Sequence, residues 1–326
     1  MQQTSSQSAS GSGSPEPRLF KVVLAFAAVY LIWGSTYLAI LWAIETMPPL
    51  GMASVRFLIA GSLLFVWALS RGAPRPTGRQ WRDAAVAGTL LLAGGNGAVV
   101  LAEQWVPSGL TALLVASVPL WLVILDTLFG SKVRPTLRTS AGLVIGFVGV
   151  GVLAGSPGVG AGGRQELVGV VVVLFGALAW ASGSLYTRHA RNPPPPRVLV
   201  GMQMLCGGVV LGCMSLAMGE PADFDIAGVS GRSIAALVYL IVAGALIGYV
   251  AYIWLLTVTT PARVGTYAYV NPLVAMLLGW GLADEPLTFR SILAAIIILG
   301  SVVVITLEPG GPRGVVRPVG LPVEVD

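Results

Sequence analysis

Charge is what this chain has least of. Asp, Glu, Lys and Arg make up 10% of its 326 residues, against about 25% in a soluble domain. So few charges cannot cover the surface of a cytosolic globular protein. Disorder is excluded as well, because it needs low hydrophobicity and high charge. Histidine occurs once, at His189, which rules out a multi-histidine metal site. The two cysteines, Cys206 and Cys213, share one apolar stretch and read as small buried side chains, not a disulfide framework. No cofactor and no metal are expected.

What is abundant is apolar: 55% hydrophobic residues and 42 glycines. That composition belongs to a polytopic membrane protein. Ten apolar stretches run over Phe20–Ile44, Pro49–Leu69, Asp83–Trp105, Ser108–Phe129 and Arg138–Gly155, then Glu166–Arg188, Val198–Met218, Ser233–Thr257, Pro261–Ala283 and Phe289–Leu307. Each is 18 to 25 residues long, enough for one crossing at about 1.5 Å per residue. A bilayer offers the backbone no water, so these stretches must be helices. The expected fold is all-α, with ten transmembrane helices. Residues 1–17, rich in Ser, Gln and Gly, and residues 308–326, rich in Gly and Pro, read as disordered cytoplasmic tails.

The net charge of +5 is distributed as a topology signal and not as a nucleic-acid footprint. With a cytoplasmic N-terminus, fifteen of the 19 Lys and Arg fall on the cytoplasmic side. Arg164, Arg232 and Arg290 fall outside, and Arg56 lies within a segment. This bias predicts a multi-pass membrane protein with both termini in the cytoplasm.

The halves also echo each other. At an offset of 147, Trp33 falls on Trp180, Ser35 on Ser182, Gly61 on Gly208 and Arg56 on Gln203. At an offset of 153, Gly95 falls on Gly248 and Pro119 on Pro272. Five helices per half is an odd number, so the repeats, 20–155 and 166–307, are expected upside down relative to each other. Inverted repeats are a transporter signature, with the cargo site near the midplane at their interface.

Trp33-Gly34-Ser35-Thr36-Tyr37 resembles the opening motif of the EamA family of the drug/metabolite transporter superfamily. Val55-Arg56-Phe57, Gly94-Gly95-Asn96-Gly97, Pro107-Ser108-Gly109, Val118-Pro119-Leu120, Tyr267-Ala268-Tyr269-Val270-Asn271-Pro272 and Glu285-Pro286-Leu287 follow in family order. The similarity runs from about Phe20 to Leu307 and is nearest to the YedA-like branch of inner-membrane exporters. It implies two inverted five-helix repeats around a central cavity lined by helices 1, 3, 4, 6, 8 and 9. It also implies export of metabolites, amino acids or drugs. Gly130-Ser131-Lys132 departs from the Gly-Glu that the family often carries after helix 4.

Arg56, a charge inside a segment, should face protein or a cavity, as a gate, a charge anchor or a structural tie between helices. Glu103 and Glu45 are its candidate partners. Asp126 lies near Lys132 and Arg134 in sequence and reads as an interfacial ion-pair member. No titratable side chain sits at the middle of a helix, so a proton relay has no evident centre. Trp33, Asn96, Trp180, Tyr249, Tyr267 and Asn271 are the expected cavity wall, polar and aromatic but uncharged. Tyr37, Tyr186, Tyr252 and Tyr269 add aromatic surface. Pro119 and Pro272 are expected to kink their helices. Such walls favour a neutral or zwitterionic amphipathic small molecule. A carrier of phosphorylated or sugar-nucleotide cargo would need several cationic residues in the cavity. An intramembrane enzyme would need a nucleophile–base pair or paired acids. The sequence offers neither set, and nucleic acid is not an expected partner.

Overall fold

The computed structural model describes residues 19–130, 136–154, 164–222, 224–258 and 267–306. The two tails and Lys132, Arg134 and Pro261 lie outside them. The described residues are built from helices, and no strand occurs among them.

Seven long apolar helices and three further ones form the bundle. The first half contains α1 (Leu19–Ala43), α2 (Pro49–Ser70), α3 (Gly78–Ala102), α4 (Ser108–Phe129) and α5 (Leu137–Ala154). The second contains α6 (Arg164–His189), α7 (Pro196–Ala217), α8 (Gly231–Tyr252), α9 (Tyr267–Leu282) and α10 (Phe289–Thr306). The helical path of α8 continues to Val258.

Local chemistry moves two of the expected boundaries. α3 starts five residues before Asp83, because Thr77 and Gln80 close a reciprocal capping box ahead of it. α8 starts at Gly231 because the Ser230 hydroxyl accepts the Ser233 amide at 3.1 Å. α4 is broken midway: its α-helical turns stop at Val115 and resume at Val118. Pro119 sits in the first turn of the resumed stretch, where its missing N–H is tolerated. Pro272 lies inside α9, whose helix runs through it without interruption.

The halves interlock reciprocally. α2 packs on α7, and α5 on α10, helices of equal rank in the two halves. α1 packs on α8 and α9, while α6 packs on α3 and α4. Exchanging the halves exchanges these contacts. Glycine permits the closest approaches: a Cβ on Gly61 would lie 2.8 Å from the Met204 Cβ, and one on Gly149 2.8 Å from Ile298. Large apolar side chains face outward on many helices, among them Leu24, Val66, Phe129, Val148, Phe175, Leu216, Trp280 and Ile296. An exposed apolar surface of that extent is what acyl chains require.

Candidate functional site

α3 and α8, the third helices of the two halves, each carry an eight-residue π-helical stretch. These are Thr89–Asn96 and Leu240–Ile247. A π-turn widens the helix, disturbs the regular carbonyl ladder and is common at functional sites. Each stretch ends beside a glycine, Gly95 in one and Gly248 after the other, and each glycine receives a tryptophan from the opposite half. A Cβ on Gly95 would lie 2.8 Å from Cε3 of Trp180, and one on Gly248 2.5 Å from Nε1 of Trp33. The residues matched in sequence therefore make matched contacts across the seam.

Around Trp33 this seam becomes an aromatic group. Its indole N–H donates to the Gly244 carbonyl inside the π-stretch at 3.1 Å. Its ring lies 5.3 Å from that of Tyr252 and 5.0 Å, edge-on, from that of Tyr267. Tyr252 lies 6.0 Å from Tyr267 and 6.4 Å from Tyr249. The Tyr249 hydroxyl donates to the Pro196 carbonyl at 3.3 Å, at the start of α7. Three expected wall residues, Trp33, Tyr249 and Tyr267, thus meet, with Tyr252 at the centre of the group. Trp180 does not join them. It packs on Gly95 and is 36% exposed.

A second set of residues is polar. Asn96 on α3, Ser117 at the break in α4 and Asn271 on α9 each hold a buried side-chain oxygen with no hydrogen-bond partner. Asn271 backs onto α1, where its carbonyl lies 3.2 Å from the position of a Gly34 Cβ. Buried polar atoms are rarely left unpaired, which sets these three oxygens apart from most of the packed interior. Arg56 is 6% exposed, with Nε and Nη1 unpartnered and its Cζ 4.9 Å over the Phe57 ring. Its Nη2 lies 3.4 Å from where a Gly244 Cβ would be, so the guanidinium reaches the π-stretch of α8. Glu103 is also buried and interacts electrostatically with Arg56. Glu45, the other candidate partner, pairs instead with Arg232 at 3.4 Å, where both side chains are partly solvated. Asp126 meets Arg188 of α6 at 3.8 Å.

Two carboxylates, one of them in the Glu285-Pro286-Leu287 motif, bridge the halves. Glu220, just after α7, accepts the amides of Leu50 and Gly51 at the start of α2, at 3.0 and 2.9 Å, and the Ser215 hydroxyl at 2.6 Å. Glu285, just after α9, accepts the amides of Ser108 and Gly109 at the start of α4. An anion at a helix N-terminus satisfies free N–H groups and the helix dipole. The sequence signal is an acid just past a helix, with a Pro-led helix start to receive it. A shallow surface pocket lined by Pro107, Gly109, Met276, Trp280 and Glu285 lies beside the second contact, away from the aromatic group.

Comparison with known proteins agrees with this architecture. The model of the EamA-like transporter family matches twice, over residues 20–155 and 167–307. The inner membrane transporter YedA of Escherichia coli (strain K12) is 41% identical over 291 residues, 87% of this chain and 90% of the relative. The transporter YvbV of Bacillus subtilis (strain 168) is 25% identical over 88% of this chain and 92% of its own. The protein PecM of Dickeya dadantii (strain 3937) is 26% identical over 84% and 88%. One solved crystal structure superposes with a TM-score of 0.60 at 20% identity, covering 88% of this chain and 97% of that one.

Proposed function

Because the chain belongs to the EamA-like transporter family, and is a multi-pass membrane transporter, we propose that it is a secondary exporter of small amphipathic metabolites, amino acids or drugs, working by alternating access. The single observation that carries the reading is the aromatic group of Trp33, Tyr249, Tyr252 and Tyr267 where α1 of the first half meets α8 and α9 of the second. A site between two bodies opens to one side or the other as the bodies rock. The reciprocal packing of the halves supports ten crossings in two inverted five-helix repeats. Rings supply area for an apolar cargo body, and Asn96 and Asn271 supply polar contacts for its head. Arg56 and Glu103 stand at one end of the path as a gate or charge anchor, and Pro119 and Pro272 give helices α4 and α9 points of flexure.

The charge distribution supports cytoplasmic termini, and the inner-membrane relative supports the same membrane here. The chain acts by moving a solute and not by chemistry on it. The test is a metabolite comparison of cells with and without the protein, followed by uptake into proteoliposomes. Protein-dependent movement of neutral or zwitterionic amphipathic compounds is expected. Movement of strongly anionic phosphorylated compounds alone would defeat the reading.

A further inference from the structure

The charges beside the Arg56 gate do not balance. Glu103 is the residue after α3, is 3% exposed, and has no hydrogen-bond partner on either carboxylate oxygen. Arg56 of α2 and Glu285 of the α9–α10 connection both interact with it electrostatically. Glu103 makes no ion pair within 4.0 Å of Arg56. Tyr37 of α1 also interacts with Glu103 electrostatically. α4 carries no charged side chain from Ser108 to Leu125, only hydroxyls such as Ser108 and Thr111, buried and unpartnered. α6 packs on α3 through Gly169, whose Cβ would lie 3.6 Å from the Ala102 carbonyl. Its first-turn Glu166 is buried and already holds an interaction.

One buried carboxylate, Glu103, thus interacts with a buried guanidinium and with a second carboxylate, Glu285, that is only partly buried. The two acids are not equivalent. Glu285 has its charge satisfied by the N–H groups of Ser108 and Gly109 at a helix N-terminus. Glu103 has no donor at all. An ionised carboxylate buried without a hydrogen bond is strongly disfavoured, and a lone proton on it neutralises both the side chain and the group.

We propose that Glu103 is an exchangeable proton site. Its carboxylate takes a proton from hydronium, releasing water, and becomes a neutral acid. When Arg56 closes on it, the ion pair forms and the proton returns to water. The bistable element is the Arg56–Glu103 separation, and the proton and the guanidinium are alternative partners of one carboxylate. A transporter with this site has a proton to exchange against cargo. That use rests on the transporter reading, but proton binding itself is measurable without any cargo.

The test is infrared difference spectroscopy of the full-length protein in lipid, taken through an acid-to-alkaline titration. Wild type should show a protonated-carboxyl band of a water-shielded acid that titrates reversibly. Glu103→Gln should remove the band and Glu285→Gln should keep it. Should Glu103→Gln leave Arg56 unpaired and fail to insert, the neutral pair Arg56→Gln/Glu103→Gln serves instead. It should lack the band that Arg56→Gln alone retains. A band that persists in either Glu103 variant would overturn the proposal. So would a wild-type band that responds to sodium in place of choline but not to pH.

Discussion

Gly248 shows how much one absent methyl group decides. Its Cα faces the Trp33 indole so closely that a Cβ would sit 2.5 Å from Nε1. Trp33 also anchors its N–H on Gly244, one turn earlier, and so has little room to move. Gly248→Ala should therefore destabilise by about 1–3 kcal/mol through overpacking, measured by thermal unfolding in detergent. Gly300→Ala, on α10 with nothing within 4 Å, should be neutral or slightly stabilising by helix propensity alone. Equal effects at the two sites would count against a tight Trp33 seat. Arg56→Ala is a functional prediction. Because Nε and Nη1 have no partner to lose, transport should fall further than membrane expression. Equal losses in the two assays would mark Arg56 as a structural tie. The sequence named Trp33, Gly95, Trp180 and Gly248 as matched residues, since their spacing repeats. It did not show that each tryptophan meets the glycine of the opposite half, because contact partners some 85 to 215 residues apart leave no local trace. Glu45 pairs away from Arg56 for a related reason. An exposed acid pairs readily with an exposed base, here Arg232, without being drawn into the bundle.

At the scale of elements, the carboxylates after α7 and α9 join helices of different halves. Each accepts two backbone amides at a helix start, so removing its charge weakens two charge-assisted hydrogen bonds at once. Glu220→Gln and Glu285→Gln should each cost about 1–3 kcal/mol in the same unfolding assay. Asp284→Asn, on the exposed neighbour of Glu285, should change little. Loss confined to Asp284→Asn would contradict the assignment. The sequence marks the acids but not their partners, because Glu220 meets the amides of Leu50 and Gly51 at separations of 170 and 169 residues. The π-stretches were only half legible. Glycine clusters hinted at unusual packing in α3, but the equivalent Leu240–Ile247 stretch is a plain apolar run. The helical character of the apolar stretches is legible in the sequence, since a bilayer forces such stretches into helices; seven of the described helices are long and apolar enough to cross, and three are shorter. Hydropathy alone does not place the starts of α3 and α8, where the capping side chains of Thr77 and Ser230 set the boundary.

For the molecule as a whole, the charge bias predicts an orientation that labelling can check. Ile226 lies between α7 and α8 and is 80% exposed, and Ser70 ends α2. In intact cells an impermeant thiol reagent should label Ile226→Cys and spare Ser70→Cys, both on a background free of Cys206 and Cys213. The opposite pattern would invert the topology. The account as a whole stands on the claim that cargo is held at the seam of the two halves, against the ring of Trp33. The direct measurement is transport of the same mixture of neutral, zwitterionic and phosphorylated solutes by proteoliposomes of wild type and of Trp33→Ala. The account predicts that wild type moves neutral or zwitterionic amphipathic solutes, and that Trp33→Ala inserts normally but changes the order of preference among them. An unchanged solute profile in correctly inserted Trp33→Ala would contradict it.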